Sequence, residues 1–184
     1  MKSLIAASAA LCLVAAPLSA DEISETLQSA LDAYEEGDNQ YALEELEYAK
    51  QLLMALKTDA LVEFLPDAPE GWTREVNTEM NAALGMMGGG TGAEATYEGD
   101  GQKITLTIMA DNPMVSGMAG MISNAALLGA KIERVGREKF MVKDKEINGL
   151  VDKRILVKAS GGTVEAMLKL LETMDFRGLK RFGV

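Results

Sequence analysis

The sequence predicts an α+β protein, with an N-terminal α-helical hairpin followed by an antiparallel sheet covered by helices. Three observations carry that reading. Apolar residues recur every three or four positions from Ile23 to Leu56, alternate every second position from Ile104 to Ile108, and return to helical spacing after Thr163. Glycine is nearly absent from residues 21–65, which hold only Gly37, against seventeen glycines in residues 66–184. Charge divides at the same place: residues 21–65 carry twelve acidic and two basic side chains, net −10, while residues 66–184 carry sixteen and fifteen, net −1. Pro66 and Pro69 mark the boundary, giving an acidic hairpin over 21–65 and an α+β sandwich domain over 66–184.

Residues 1–20 read as a cleaved secretory signal. Lys2 supplies the positive start, Leu4 to Ala16 the short apolar run, and Pro17-Leu18-Ser19-Ala20 the approach to a cut before Asp21. That run is too short for an ordinary membrane-spanning helix, and no later segment is longer, so the chain is not expected to be an integral membrane protein. The sole cysteine, Cys12, leaves with the signal, and the remaining 164 residues contain neither cysteine nor histidine. A chain of that length buries an adequate core without disulfides. The expected location is the periplasm, with the cell exterior as the alternative.

In the first mature segment, Ile23, Leu27, Leu31 and Tyr34 share one stripe, and Ala42, Leu46, Ala49, Leu53 and Leu56 resume the period after a turn at Gly37-Asp38-Asn39. The run Gly37-Asp38, Ala42, Leu46, Ala49 resembles the middle of a tetratricopeptide unit, in which small residues let two antiparallel helices approach closely. The match covers about 35 residues, in one copy. Such units bury their faces against neighbours, so the resemblance implies that the hairpin packs on its own domain, on a partner, or on a second copy.

The second segment opens with the loop Pro66 to Trp72 and a first strand through Val76. Met86-Met87-Gly88-Gly89-Gly90-Thr91-Gly92 is too glycine-rich for a regular element and is expected as an exposed loop. Ala93 to Tyr97, the turn Gly99-Asp100-Gly101 and Lys103 to Met109 read as a β-hairpin. Asp111-Asn112-Pro113 starts a helix with Met114, Met118, Met121, Ile122 and Ala125 on one stripe. Strands are expected over Lys131 to Lys143, bent at Gly136, and over Leu150 to Ala159. Gly161-Gly162-Thr163 then caps a last helix with Val164, Met167, Leu168, Leu171 and Met174 inward. In element order alone, these 115 or so residues resemble the PsbP/Mog1-like sandwich; in opening with the proline-flanked Gly71-Trp72 and a glycine-rich loop, they are similar to small exported bacterial proteins of unassigned role. Neither resemblance implies an activity or a site residue.

Composition argues against most catalytic chemistry. Without histidine or a mature cysteine, the usual general base, proton shuttle and nucleophile pairings are missing, and no serine lies in a Gly-x-Ser-x-Gly turn. Carboxylate pairs such as Glu98 and Asp100, Asp144 and Glu146, or Glu172 and Asp175 fall at turns or a helix end, where acidic groups are solvated. The glycine loop lacks the Gly-Lys-Ser/Thr of a phosphate loop. Net charge of −10 and a pI near 4.6 speak against nucleic acid. Met114, Met118 and Met121 offer soft thioether sulfur suited to Cu(I), but methionine at this spacing reads first as a core stripe and no histidine or thiolate strengthens the site, so Cu(I) binding is a distant alternative; no residue calls for a cofactor.

What remains is binding. The hairpin presents Tyr34, Glu35, Glu36, Glu44, Glu45 and Glu47, and between Lys131 and Lys158 nine basic residues stand against five acidic ones, with Arg134, Arg137, Lys143 and Lys153 the candidates for contact. That basic stretch reads as an ordinary charged sheet surface, as a seat for the acidic hairpin, or as a contact for anionic headgroups. The expected function is therefore a non-enzymatic periplasmic binding or accessory protein, partnered by an envelope protein or by a second copy. The alternative is a small-ligand or lipid binder, with a pocket between the sheet and the methionine helix and residues 86–92 as its lid.

Overall fold

A computed structural model describes residues 18–77, 80, 84 and 89–183. The expected signal lies outside them except for the backbone of 18–20, and so do residues 86–88 of the expected glycine loop 86–92. Contacts divide the chain into two compact units, Met1–Leu53 and Met54–Val184.

The first unit is the helical hairpin. Helix α1 spans Leu18–Glu36 and helix α2 starts at Asn39, running on to Val62 in the second unit. Between them Gly37 takes φ +86°, and the Asp38 carboxylate accepts from the Tyr41 amide at 3.1 Å, capping α2 as the sequence indicates. The buried seam differs from the expected one. It consists of Ile23, Thr26, Ala30, Ala33, Ala42 and Ala49, while Leu27, Leu31, Tyr34, Leu46 and Leu53 are exposed. Alanine occupies the seam because two helix backbones that approach closely leave no volume for leucine.

The second unit is a seven-stranded antiparallel sheet in the order β1-β2-β3-β7-β6-β5-β4. Its strands are β1 (Thr73–Asn77), β2 (Thr91–Gly99), β3 (Gln102–Ala110), β4 (Lys131–Val135), β5 (Glu138–Lys143), β6 (Glu146–Val151) and β7 (Ile155–Ser160). Helix α3 (Pro113–Ser123) and a 3₁₀ turn (Ala125–Leu128) follow β3; α4 (Val164–Glu172) and the short α5 (Phe176–Leu179) follow β7. The β2–β3 hairpin forms as alternation predicts, and Thr91 and Gly92 are buried within β2 rather than in a loop. The two late strands are four. Gly136, at φ +60°, turns the chain instead of bending it, and Asp144-Lys145 and Asp152-Lys153 make tight turns in the left-handed region without glycine.

Register sorts the side chains onto two faces. Tyr97, Ile104, Leu106, Ile108, Phe140, Ile147, Val151 and Val157 point to one side, where Met167, Leu170 and Leu171 of α4, Leu179 of α5, Leu61 at the end of α2 and Leu65 just beyond it complete the core. Gly149 is bare for a reason: a Cβ there would stand 2.4 Å from the ring of its cross-strand neighbour Phe140. Met141 and Leu156, on the opposite face, are buried apart from that core, as are Val115 and Ala125 of the α3 segment. Asn112 caps α3, its side-chain oxygen accepting from the Met114 amide at 2.9 Å, and Thr163 caps α4.

Candidate functional site

On the hairpin the exclusion of leucine from the seam creates the site. Leu27, Leu31 and Tyr34 of α1 and Leu43 and Leu46 of α2 line an apolar groove of about 410 Å³ floored by Ala30 and Ala42. Tyr34 is 66% exposed, so the groove has no cover within the unit. A second, polar groove of about 390 Å³ is lined by Glu25, Asp32, Glu36, Asp38 and Tyr41. Two cross-helix contacts tie the pair: Tyr48 donates to Glu22 at 2.7 Å, which raises the Tyr48 pKa, and Ser29 Oγ donates to Tyr41 Oη at 3.5 Å.

The hairpin residues singled out from sequence fall on different parts of this surface. Tyr34 lines the apolar groove and Glu36 the polar one. Glu44 accepts from Gln40 at 2.9 Å, Glu47 pairs with Lys50 at 3.1 Å, Glu35 is exposed, and Glu45 is half-buried. Leu31 and Leu43 were assigned to no site by sequence reasoning. The alanine stripe 30–33–42–49 was the available signal, since a stripe of small residues facing another helix sends the large ones outward.

In the second unit the four basic candidates do not form one patch. Arg134 lies on β4 on the side of the sheet opposite the main core, directly across from Lys139; Arg137 and Lys153 sit in turns at one end of the sheet; Lys143 lies near the other end. Lys139 is the neighbour that sequence reasoning omitted. The methionines of α3 are not a core stripe either: Met114 and Met121 are exposed and Met118 is half-buried, because only Val115 of that helix is buried. Among the described residues no group of three or more His, Cys, Asp or Glu side chains could hold a metal ion.

A cleft of about 730 Å³ lies in the second unit beside α4, rather than beneath α3. Trp72, Pro69, Ile104 and Leu170 give it apolar walls, and Asp100, Gln102, Glu165 and Lys169 its polar ones. The Trp72 indole N–H donates to Asp100 at 3.2 Å, and its ring lies on Gly99, where a Cβ would come within 2.4 Å of it. Glu165 and Lys169 pair at 2.9 Å, holding the carboxyl below and the ammonium above their ordinary pKa values.

Comparison with protein-family models, with curated proteins and with solved structures found no match for this chain. No helix among the described residues is long and apolar enough to cross a membrane.

Proposed function

We propose that this chain is a non-enzymatic, exported binding or accessory protein of the cell envelope that acts through protein–protein contacts of its helical hairpin. The observation that carries the reading is the uncovered groove of Leu27, Leu31, Tyr34, Leu43 and Leu46. Apolar side chains of that size in one contiguous strip stabilise little while wet, and each gains about 1.5–3 kcal/mol when fully covered. Ten acidic side chains against one basic between Asp21 and Leu53 set the partner's chemistry: an amphipathic helix with basic flanks, laid in the groove. Like charge disfavours a second hairpin in that role.

A photo-crosslinking residue at Leu31 or Leu43, in cells of the native host, is expected to give one discrete heteromeric adduct. Leu27→Lys should abolish it. Recovery of monomer alone, or an adduct that Leu27→Lys leaves intact, would overturn the proposal. A second reading, small-ligand binding, draws support from the Trp72 cleft; native mass spectrometry of host-purified protein separates the two, since a retained small molecule favours the cleft.

A further inference from the structure

Residues 112–130 contain no charged side chain, and they form α3 and the 3₁₀ turn. A surface helix on a sheet ordinarily buries an apolar stripe and shows charge to water. Here the outer side is uncharged: Ser116, Ser123 and Asn124 are its exposed polar groups, and large apolar side chains share it. Met114 and Met121 are exposed, Leu128 and Ile132 beside them are exposed, and Leu127, at the tip of the turn, is 86% exposed. An apolar side chain exposed to that degree fits no groove of its own fold, and the segment offers no acidic or basic group for a protein partner to read.

The sheet edge next to this segment supplies the charge. On the face that carries Met141 and Leu156, β4 and β5 present Ile132, Arg134, Lys139, Met141 and Lys143, three basic side chains and no acidic one. Arg134 stands directly opposite Lys139 across the two strands, an arrangement that costs stability unless an anion lies over it. Among the described residues neither forms an ion pair, whereas Lys158 and Lys180 pair with Glu146 and Glu138 at 3.0 and 2.6 Å. The 3₁₀ turn lies next to β4, α3 contacts β6 and β7, and the buried Val115 and Ala125 of this segment stand outside the main core, as do Met141 and Leu156 of the face that carries the cations.

We propose that this face, α3 and the 3₁₀ turn with Arg134 and Lys139, docks on a bilayer surface containing anionic phospholipid. Leu127, Met121 and Met114 enter the boundary between headgroups and acyl chains, and the two cations contact headgroup phosphates. A bilayer needs no matching groove, accepts an uncharged segment, and supplies the negative charge that the Arg134–Lys139 pair lacks. Each cation near an anionic surface raises partitioning about fivefold.

The test uses the full chain with Cys12→Ser and Leu127→Cys, carrying an environment-sensitive dye at 127, and a control with the dye at Glu165→Cys on α4. Vesicles are phosphatidylcholine alone or with about 30% phosphatidylglycerol. The N-terminal apolar segment contributes equally in every variant, so the phosphatidylglycerol-dependent part reads the face. The dye at 127 should shift to the blue with phosphatidylglycerol, the dye at 165 should not, and about 0.5 M salt should reverse the shift. Arg134→Gln with Lys139→Gln should weaken vesicle co-sedimentation about 25-fold. On the unlabelled chain, Leu127→Asp should weaken it at least about tenfold. Leu127, Arg134 and Lys139 are all exposed, so neither effect passes through misfolding. Equal binding to both vesicles, binding unchanged in these variants, or a blue shift at 127 without vesicles that tracks protein concentration would overturn the proposal, the last by identifying a second copy as the occupant.

Discussion

Tyr97 ties the start of the second unit to its sheet, and its removal has a pH signature that a packing role alone would not give. The ring is fully buried in β2 and its hydroxyl donates to the Pro66 carbonyl at 2.7 Å. Burial is the main reason its pKa is pushed up to about 12 from 10.0, with the Arg74 guanidinium only partly opposing it. The folded protein therefore holds this proton more tightly than the unfolded chain does. Stability linked to it is complete below pH 10 and is lost as pH rises through 12, at about 1.4 kcal/mol per unit, so about 1.4 kcal/mol is gone by pH 11 and about 1.9 by pH 11.5. Tyr97→Phe gives up the hydrogen bond and strands the carbonyl, costing about 1–2 kcal/mol at pH 8. It also removes the titration. Denaturant melts followed by the fluorescence of Trp72, the one tryptophan, should show wild type more stable at pH 8 and the two proteins converging near pH 11. Other groups that titrate in this range are common to both and cancel in the difference. A difference that stays constant from pH 8 to pH 11.5 would refute the reasoning, because the hydroxyl would then not be the group whose proton burial protects.

Three further outcomes follow from the packing. Ala49→Leu, in the hairpin seam, should destabilise that unit by about 1–3 kcal/mol in helix melts by circular dichroism, whereas Leu46→Ala on the groove should change it by less than about 0.5 kcal/mol. Asn112→Ala removes both the cap of α3 and a side-chain bond to the Gly89 carbonyl from a site only 4% exposed, and should cost about 1–3 kcal/mol in urea denaturation. Gly99→Ala should push the Trp72 ring off β2 and break its bond to Asp100, which moves the tryptophan emission maximum; an unchanged spectrum would mean that the ring does not rest on Gly99.

The fold class was legible because its signals are periodic. Alternation gave the β2–β3 hairpin, and Asn112-Pro113 and Thr163 announced two helices by the chemistry of their caps. Turns built from Asp144-Lys145 and Asp152-Lys153 were not legible, since nothing in those residue types requires the left-handed conformation; the pairing of β5 with β6 and of β6 with β7 holds them there. Periodicity also gave the right helices but the wrong inner face. In α1 the stripes Ile23-Leu27-Leu31-Tyr34 and Ile23-Thr26-Ala30-Ala33 are both at helical spacing, and hydrophobicity favours the first while close packing selects the second. The same ambiguity misplaced the α3 methionines. A stripe of large apolar residues is evidence of burial only when nothing smaller on the helix competes for the inside.

Those reversals bear on how a chain of net −10 could engage an anionic surface at all. Net charge describes the far field, and at about 0.15 M salt that field is screened beyond about 8 Å. Within that distance a surface responds to the side chains that touch it. The face formed by Ile132, Arg134, Lys139, Met141 and Lys143 is locally cationic, while ten of the acidic residues belong to Asp21–Leu53 of the hairpin unit. Two uncovered apolar surfaces among the described residues, the groove of Leu31 and Leu43 and the turn at Leu127, therefore carry opposite local charge. Under the two proposals above, opposite charge around the two apolar patches favours a different occupant for each, a basic helix for one and an anionic bilayer for the other.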